Sequence, residues 1–248
     1  MALIQSSLSD GVGTIALDNY GRRNALSAAL IAEAIAALTA MRADARVVVL
    51  RAASKNKVWS AGHDLSELSP KGQDPLAWRD PLEQLLRAVG AFPGPVIAMI
   101  DGSVWGGACD LALDCDIALG DADASFAFVP AKIGLPYNLS GVQRFVGRLP
   151  PNVAMEMAAT ADPVDAGRAL RVNLLNHLVP TPELEARTYA MAKTIASRHR
   201  ESIAAFKAQA RQLLSGPSIS PERAEYLEGV RWAVYTAELP PSVVQPKS

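Results

Sequence analysis

The chain has little of what disulfide scaffolds, metalloproteins and membrane proteins require. Its two cysteines, Cys109 and Cys115, lie in one apolar stretch without metal-ligand spacing. That excludes a disulfide framework and predicts buried free thiols. Histidine is scarce too, at positions 63, 177 and 199, and no helix offers His63 a second ligand at metal-binding spacing. The formal net charge is only −1, so the chain lacks the electrostatic footprint of a nucleic-acid or anionic-membrane binder. No apolar run reaches the ~18 residues of a membrane span. Met1-Ala2-Leu3-Ile4-Gln5-Ser6 has no basic segment leading into a long apolar one, so no secretory signal is expected. The expected location is the cytoplasm.

Common catalytic and nucleotide-binding signatures are missing as well. Gly102, Gly106 and Gly107 do not space as G-x-G-x-x-G, and there is no phosphate-binding Walker loop. Ser60, His63 and Asp64 invite a triad, but they are sequence neighbours without a G-x-S-x-G elbow. No repeat, low-complexity tract or long linker divides the chain, which reads as one α/β (α+β) domain with a C-terminal extension.

What is present is half hydrophobic and one-fifth charged, the composition of a globular fold. Leu3 to Ser9 and Gly13 to Asp18 read as a hairpin turning at Asp10-Gly11. Ser27 is placed to cap a helix running to about Met41, and Val47 to Leu50 is a β-branched strand. A break follows at Ser54 to Leu65, then a loop from Pro70 to Pro75 and a helix from Leu76 to Phe92. Pro95 to Ile100 is a buried strand, and the short strands Asp116 to Leu119 and Ser125 to Phe128 come later. Val129 to Gly141 reads as a rigid loop punctuated by two prolines and two glycines. Helices are expected at about 152–159, 165–171, 183–197, 200–214 and 221–237.

The chemistry gathers in three places. Asp101-Gly102-Ser103-Val104-Trp105-Gly106-Gly107-Ala108-Cys109-Asp110 joins a strand to a helix. Unpaired N–H groups at a helix start can hold an anion, or a carbonyl oxygen that becomes anionic. Close packing of helix on strand is the plainer alternative. His63 follows Ala61-Gly62, so its backbone matters more than its ring. Tyr137 and Asn138 are neutral polar groups that can hold a carboxylate without protonating it. Asp110 is either a favourable first-turn charge or an acid, base or orienting group.

Two stretches, Trp59-Ser60-Ala61-Gly62-His63-Asp64-Leu65 and Gly102 to Asp110, resemble the signature segments of the crotonase (enoyl-CoA hydratase/isomerase) superfamily. Lys132-Ile133-Gly134-Leu135 and Ser140-Gly141-Val142-Gln143-Arg144 are similar to the segment that follows them. The resemblance implies a spiral of ββα units over residues 1–190 and a C-terminal helical trimerisation region over 191–248. It also implies a homotrimer or dimer of trimers and an acyl-coenzyme A thioester as substrate. The thioester oxygen is then expected between the N–H groups of His63 and Gly107. Ala25, Ala61, Asp64, Leu65, Trp105, Gly106, Pro130 and Asn138 are expected around the substrate.

Finer features resemble the methylmalonyl-CoA decarboxylase family: Ser60 to Asp64, Asp74-Pro75-Leu76, Ser103 to Ala108, Gly134-Leu135-Pro136-Tyr137-Asn138-Leu139 and Arg231-Trp232-Ala233-Val234-Tyr235. This implies that Tyr137 positions the carboxylate that leaves. Hydratases of the superfamily use two glutamates. Their positions here are Asp110, one methylene shorter, and Pro130, which transfers no proton. Decarboxylation through an enolate needs no such pair and no cofactor, since coenzyme A enters with the substrate. The implied activity is decarboxylation of methylmalonyl-CoA or a related malonyl thioester to propionyl-CoA. Hydration or isomerisation of a 2-enoyl-CoA is second, and non-catalytic acyl-CoA binding is third. Arg22, Arg23, Lys55 and Lys57 could meet the phosphates of coenzyme A. Only a short tail follows Leu239-Pro240-Pro241, so the expected lid over the nucleotide is reduced or comes from a neighbouring subunit.

Overall fold

The computed structural model describes residues 2–53, 57–68 and 76–214, together with 225 and 229. Strands β1 (Ile4–Ser9) and β2 (Val12–Leu17) pair antiparallel. Their turn puts both Asp10 (φ 51°) and Gly11 (φ 75°) at positive φ, the two-residue geometry that suits strand twist. Ser27 caps α1 (Ala28–Met41) by accepting the Leu30 N–H at 3.3 Å. Leu30, Ile31, Ala34, Leu38 and Met41 recur at helical spacing, and that face is buried.

Beyond α1 the chain alternates between two sheets. β3 (Val47–Ala52), β5 (Val96–Ile100), β7 (Ile117–Gly120) and β10 (His177–Leu178) extend the hairpin into a six-stranded sheet of order β1-β2-β3-β5-β7-β10. The strands between them, β4 (Lys57–Ser60), β6 (Gly102–Trp105) and β8 (Ser125–Ala127), build a second sheet closed by β9 (Val164–Asp165). All pairings from β2 to β10 in the first sheet are parallel, as are those among β4, β6 and β8. Each turn of chain therefore advances one strand along both sheets, and the path is a spiral.

β5 is buried along its whole length because both faces of the first sheet are covered. On one face lies the main core, to which α1, α2 (Pro81–Gly90) and α3 (Gly107–Asp114) contribute. On the other, α7 (Leu184–Ala196) packs Leu184 and Ala192 against Val47, Val49, Ile97 and Met99. Cys109 and Cys115 are free thiols with no solvent exposure.

Several elements differ from the sequence expectation. The strand before the glycines is not β5: Asp101 ends β5, and the next four residues form β6 in the other sheet. The helix expected from Leu76 starts only at Pro81, because Asp80 caps it and Pro81 takes its first position. The break at 54–65 contains β4. Within the expected loop, Pro130–Ile133 is a 3-10 turn and Asn138 caps a helix absent from the sequence reading, α4 (Leu139–Arg148). Gly141 and Gly147 lower its intrinsic propensity, so burial of Phe145 and ion pairing of Arg144 hold it instead. Helices α5 (Pro151–Thr160), α6 (Ala166–Arg171) and α8 (Arg200–Leu214) lie within a residue or so of expectation.

The expected boundary at residue 190 falls inside α7. Lys55, the loop from Pro70 to Pro75 with Asp74-Pro75, the helix expected over 221–237 with Arg231 to Tyr235, and Leu239-Pro240-Pro241 lie outside the described residues. Among the described residues no helix is long and apolar enough to cross a membrane.

Candidate active site

The site forms where the loop after β4 meets the junction of β6 and α3. Arg23 to Leu26 zip along Ser60 to His63: Ala61 N–H donates to Arg23 O at 2.9 Å and Leu26 N–H to Gly62 O at 2.8 Å. The Ser60 hydroxyl donates to Asn24 O at 2.7 Å and accepts from Gly62 N–H, so it is spent on the loop. Gly62 sits at φ 82°, and a β-carbon there would come within 2.2 Å of the Trp105 carbonyl oxygen. Gly106, the N-cap of α3, has φ 51° and ψ −123°, a conformation for glycine. These two positions let the loop press against the helix start. A β-carbon on Gly107 would lie 3.5 Å from the His63 nitrogen. The His63 and Gly107 N–H groups thus sit side by side, and neither donates to another described residue.

An apolar cavity of about 90 Å3 opens at this pair. His63, Gly106, Gly107, Ala61, Leu65, Pro130 and Tyr137 line it together with leucines, Val129 and Ile133, and among the described residues no carboxylate does. Tyr137 is the one hydroxyl-bearing side chain there among the described residues. Its ring is set edge-on to Phe128, with centroids 4.6 Å apart, and Phe145 backs both. Its hydroxyl donates to Asp110 Oδ2.

Asp110 lies in the first turn of α3, as expected, but is buried. It is 1 % exposed, and its other oxygen has no hydrogen bond, with Arg144 Nη1 at 3.6 Å. Burial pushes its carboxyl up to about 8, against the pull of Arg144 and with added repulsion from Glu83 and Asp114. Arg144 is spoken for by Glu83, which it meets through two nitrogens at 2.9 and 2.7 Å. Burial alone would raise the Glu83 carboxyl, but Arg144 and Asn138 hold it below its ordinary value. Glu83 escaped the sequence reading, and Arg144 entered it only within the Ser140 to Arg144 segment, without a role of its own. Asp80-Pro81-Leu82-Glu83 looks like a capping box, yet the Glu83 side chain turns inward to α4.

Other expected residues fall outside the cavity. Asn138 uses both ends of its amide: Nδ2 donates to Leu76 O and Glu83, and Oδ1 accepts from Gly141 N–H. It supports Tyr137 from behind. Asp64 binds Ser66 and Arg22, while the His63 ring faces Asp80. Ser60, His63 and Asp64 therefore form no relay. Trp105 contributes its carbonyl against Gly62, and Phe128 and Phe145 supply the aromatic packing instead. Ala25 belongs to the segment zipped to the loop, one shell out. A larger groove of about 650 Å3 beside α8 contains none of the expected residues, and its acidic floor, Asp114 and Asp116, is paired with Arg211 and Lys207. Among the described residues no cluster could hold a metal ion.

The chain is thus a two-sheet spiral whose glycine-rich helix start meets the loop after β4. The enoyl-CoA hydratase/isomerase family model matches residues 7–225, and the chain belongs to that family. Within it, the chain is 40% identical over 222 residues to methylmalonyl-CoA decarboxylase of Escherichia coli, covering 89% of this chain and 85% of that one. A solved methylmalonyl-CoA decarboxylase in complex with 2-nitronate-propionyl-CoA superposes with a TM-score of 0.93 at 36% identity, over 95% of this chain and 91% of the other. Human enoyl coenzyme A hydratase domain-containing protein 3 is more distant, with a TM-score of 0.78 at 29% identity over 93% and 90%.

Proposed function

We propose that this protein decarboxylates methylmalonyl-CoA, or a related malonyl thioester, to propionyl-CoA. The thioester oxygen lies between the N–H groups of His63 and Gly107. As the C–C bond to the carboxylate breaks, its electron pair moves onto the carbonyl, CO2 leaves, and the enolate oxygen takes up charge against those two donors. One such donor is worth about 3–4 kcal/mol at comparable sites. Tyr137 holds the carboxylate out of the thioester plane, so that the breaking bond overlaps the carbonyl π system. A proton from solvent then adds to the α-carbon, giving propionyl-CoA. No redox group or metal enters this balance.

Asp110 governs the tyrosine. Ionised, it accepts the Tyr137 O–H as a hydrogen bond; protonated, it can donate to the phenol oxygen, leaving the Tyr137 O–H for the substrate. The observation that carries the reading is the cavity lining: one phenol beside two free N–H groups, with Pro130 in place of a second carboxylate. A hydratase needs two groups to activate and protonate, and similarity to methylmalonyl-CoA decarboxylases points the same way. The same reading includes a homotrimer or dimer of trimers, which sedimentation equilibrium measures.

The deciding experiment is a product assay with malonyl-, methylmalonyl- and crotonyl-CoA. Propionyl-CoA and CO2 from methylmalonyl-CoA are expected. Rapid hydration of crotonyl-CoA without decarboxylation would reverse the order of the two readings, and tight binding without turnover would favour a non-catalytic binder.

A further inference from the structure

We infer that Asp80 is a positioning residue: its carboxylate anchors the His63 ring, and with it the loop that brings the His63 N–H beside that of Gly107. The role of that N–H rests on the decarboxylase reading above; the anchor does not. Two acceptors flank the ring. Nε2 lies 3.3 Å from Asp80 Oδ2, and Nδ1 lies 3.3 Å from the Asp64 carbonyl oxygen. A carboxylate and a carbonyl only accept, so both contacts are hydrogen bonds only when both ring nitrogens carry protons. Held through both contacts, the ring is an imidazolium at the edge of a cavity whose other described lining residues carry no charge.

Its surroundings agree. Asp80 faces it from the head of α2 and Glu67 from the turn Leu65–Glu67; the Tyr137 phenol lies in the same cavity, with Asp110 and Arg144 behind it. Burial works against the charged ring, but the hydrogen bond and charge of Asp80 outweigh it and hold His63 above its ordinary value. Asp80 is itself fixed, its side chain 6% exposed and its Oδ1 accepting the Leu82 N–H at 2.8 Å. One carboxylate thus joins α2, whose Leu82 lines the cavity, to the loop opposite. The backbone before His63 is already tied, since Gly62 donates to Ser60 Oγ and accepts from Leu26 N–H, so Asp80 supplies the tie at the side-chain end.

Asparagine caps a helix as well as aspartate does, so Asp80→Asn keeps the start of α2 and removes only the charge. The three histidine rings of the full-length protein can be followed by NMR, with His177→Gln and His199→Gln for assignment. His63 should titrate above the ordinary value of about 6.5. In Asp80→Asn its titration should fall by about one pH unit or more. Turnover of methylmalonyl-CoA should then drop about tenfold with KM changed less than about twofold, and Asp80→Glu should recover part of it. An unmoved His63 titration, or an unmoved kcat beside a shifted titration, overturns the proposal. If Asp80→Asn does not fold, the wild-type titration decides: a value at or below about 6.5 removes the anchor. Wild-type protein that decarboxylates nothing would defeat the reaction proposed above, while the titration would still read the anchor.

Discussion

Tyr137 carries one polar atom into an apolar cavity, and that atom is tied to a carboxyl with an abnormal titration. Replacing it by phenylalanine keeps the ring packing against Phe128 and Phe145. Decarboxylation should fall about 10²-fold, with little change in the affinity for propionyl-CoA, as measured by calorimetry. Equal losses in both would make the tyrosine a wall of the pocket instead. Asp110 makes a second prediction. Its folded pKa of about 8 stands above the unfolded 3.8, so the folded state binds the extra proton. Stability contributed by this group is full at acid pH and is lost as pH rises from about 4 toward 8. Asp110→Asn should therefore stabilise the protein at pH 9 more than at pH 5, as read by urea titration. Wild-type turnover is expected to fall above about pH 8, where Asp110 ionises, and that fall should vanish in this variant, whose amide donates permanently to the phenol oxygen.

At the scale of elements, the site is a contact between a loop and a helix start. Gly62 is the tightest point of that contact, with both a positive φ and a backbone carbonyl where its β-carbon would go. Gly62→Ala should cost about 2 kcal/mol or more of stability and separate the two N–H groups, seen together as a lower melting temperature and weaker binding of any acyl-CoA. Helix α4 depends on Asn138 in a different way. Asn138→Asp preserves the acceptor for Gly141 N–H but loses the donors to Leu76 and Glu83, and sets a carboxylate against Glu83. It should destabilise by about 2–4 kcal/mol, more than Asn138→Ser, although aspartate and serine are comparable caps in isolation.

Across the whole molecule, ion pairs fasten the last described helix to the spiral. Lys207 of α8 is 7% exposed and its ammonium reaches Val89 O, Gly94 O and Asp116 Oδ2, the last at 2.6 Å. Arg211, one turn on, meets Asp114 and Asp116. Lys207→Met removes one of the two cations on Asp116, which keeps Arg211 and the Val96 N–H, and should cost about 1–3 kcal/mol. Hydrogen exchange should show faster opening of α8 than of β3 and β5 in that variant, since those strands are covered on both faces.

Local patterns were legible in the residues themselves. The hairpin turn, the Ser27 cap, the apolar strands and the later helices follow from short-range rules of φ, capping and periodicity, which act within a few residues. The two signature segments and the tyrosine were legible as well, because they are continuous in the chain. Helix α4 was not, since its glycines argue against it locally and its support, Glu83, lies 55 residues before Asn138. Nor were the pairing of Asp80 with His63, the burial that turns Asp110 into an acid of about 8, or the sorting of alternate strands into two sheets. Periodicity and capping are settled by neighbours along the chain. Which charges meet, and how much water they keep, is settled only when distant segments pack.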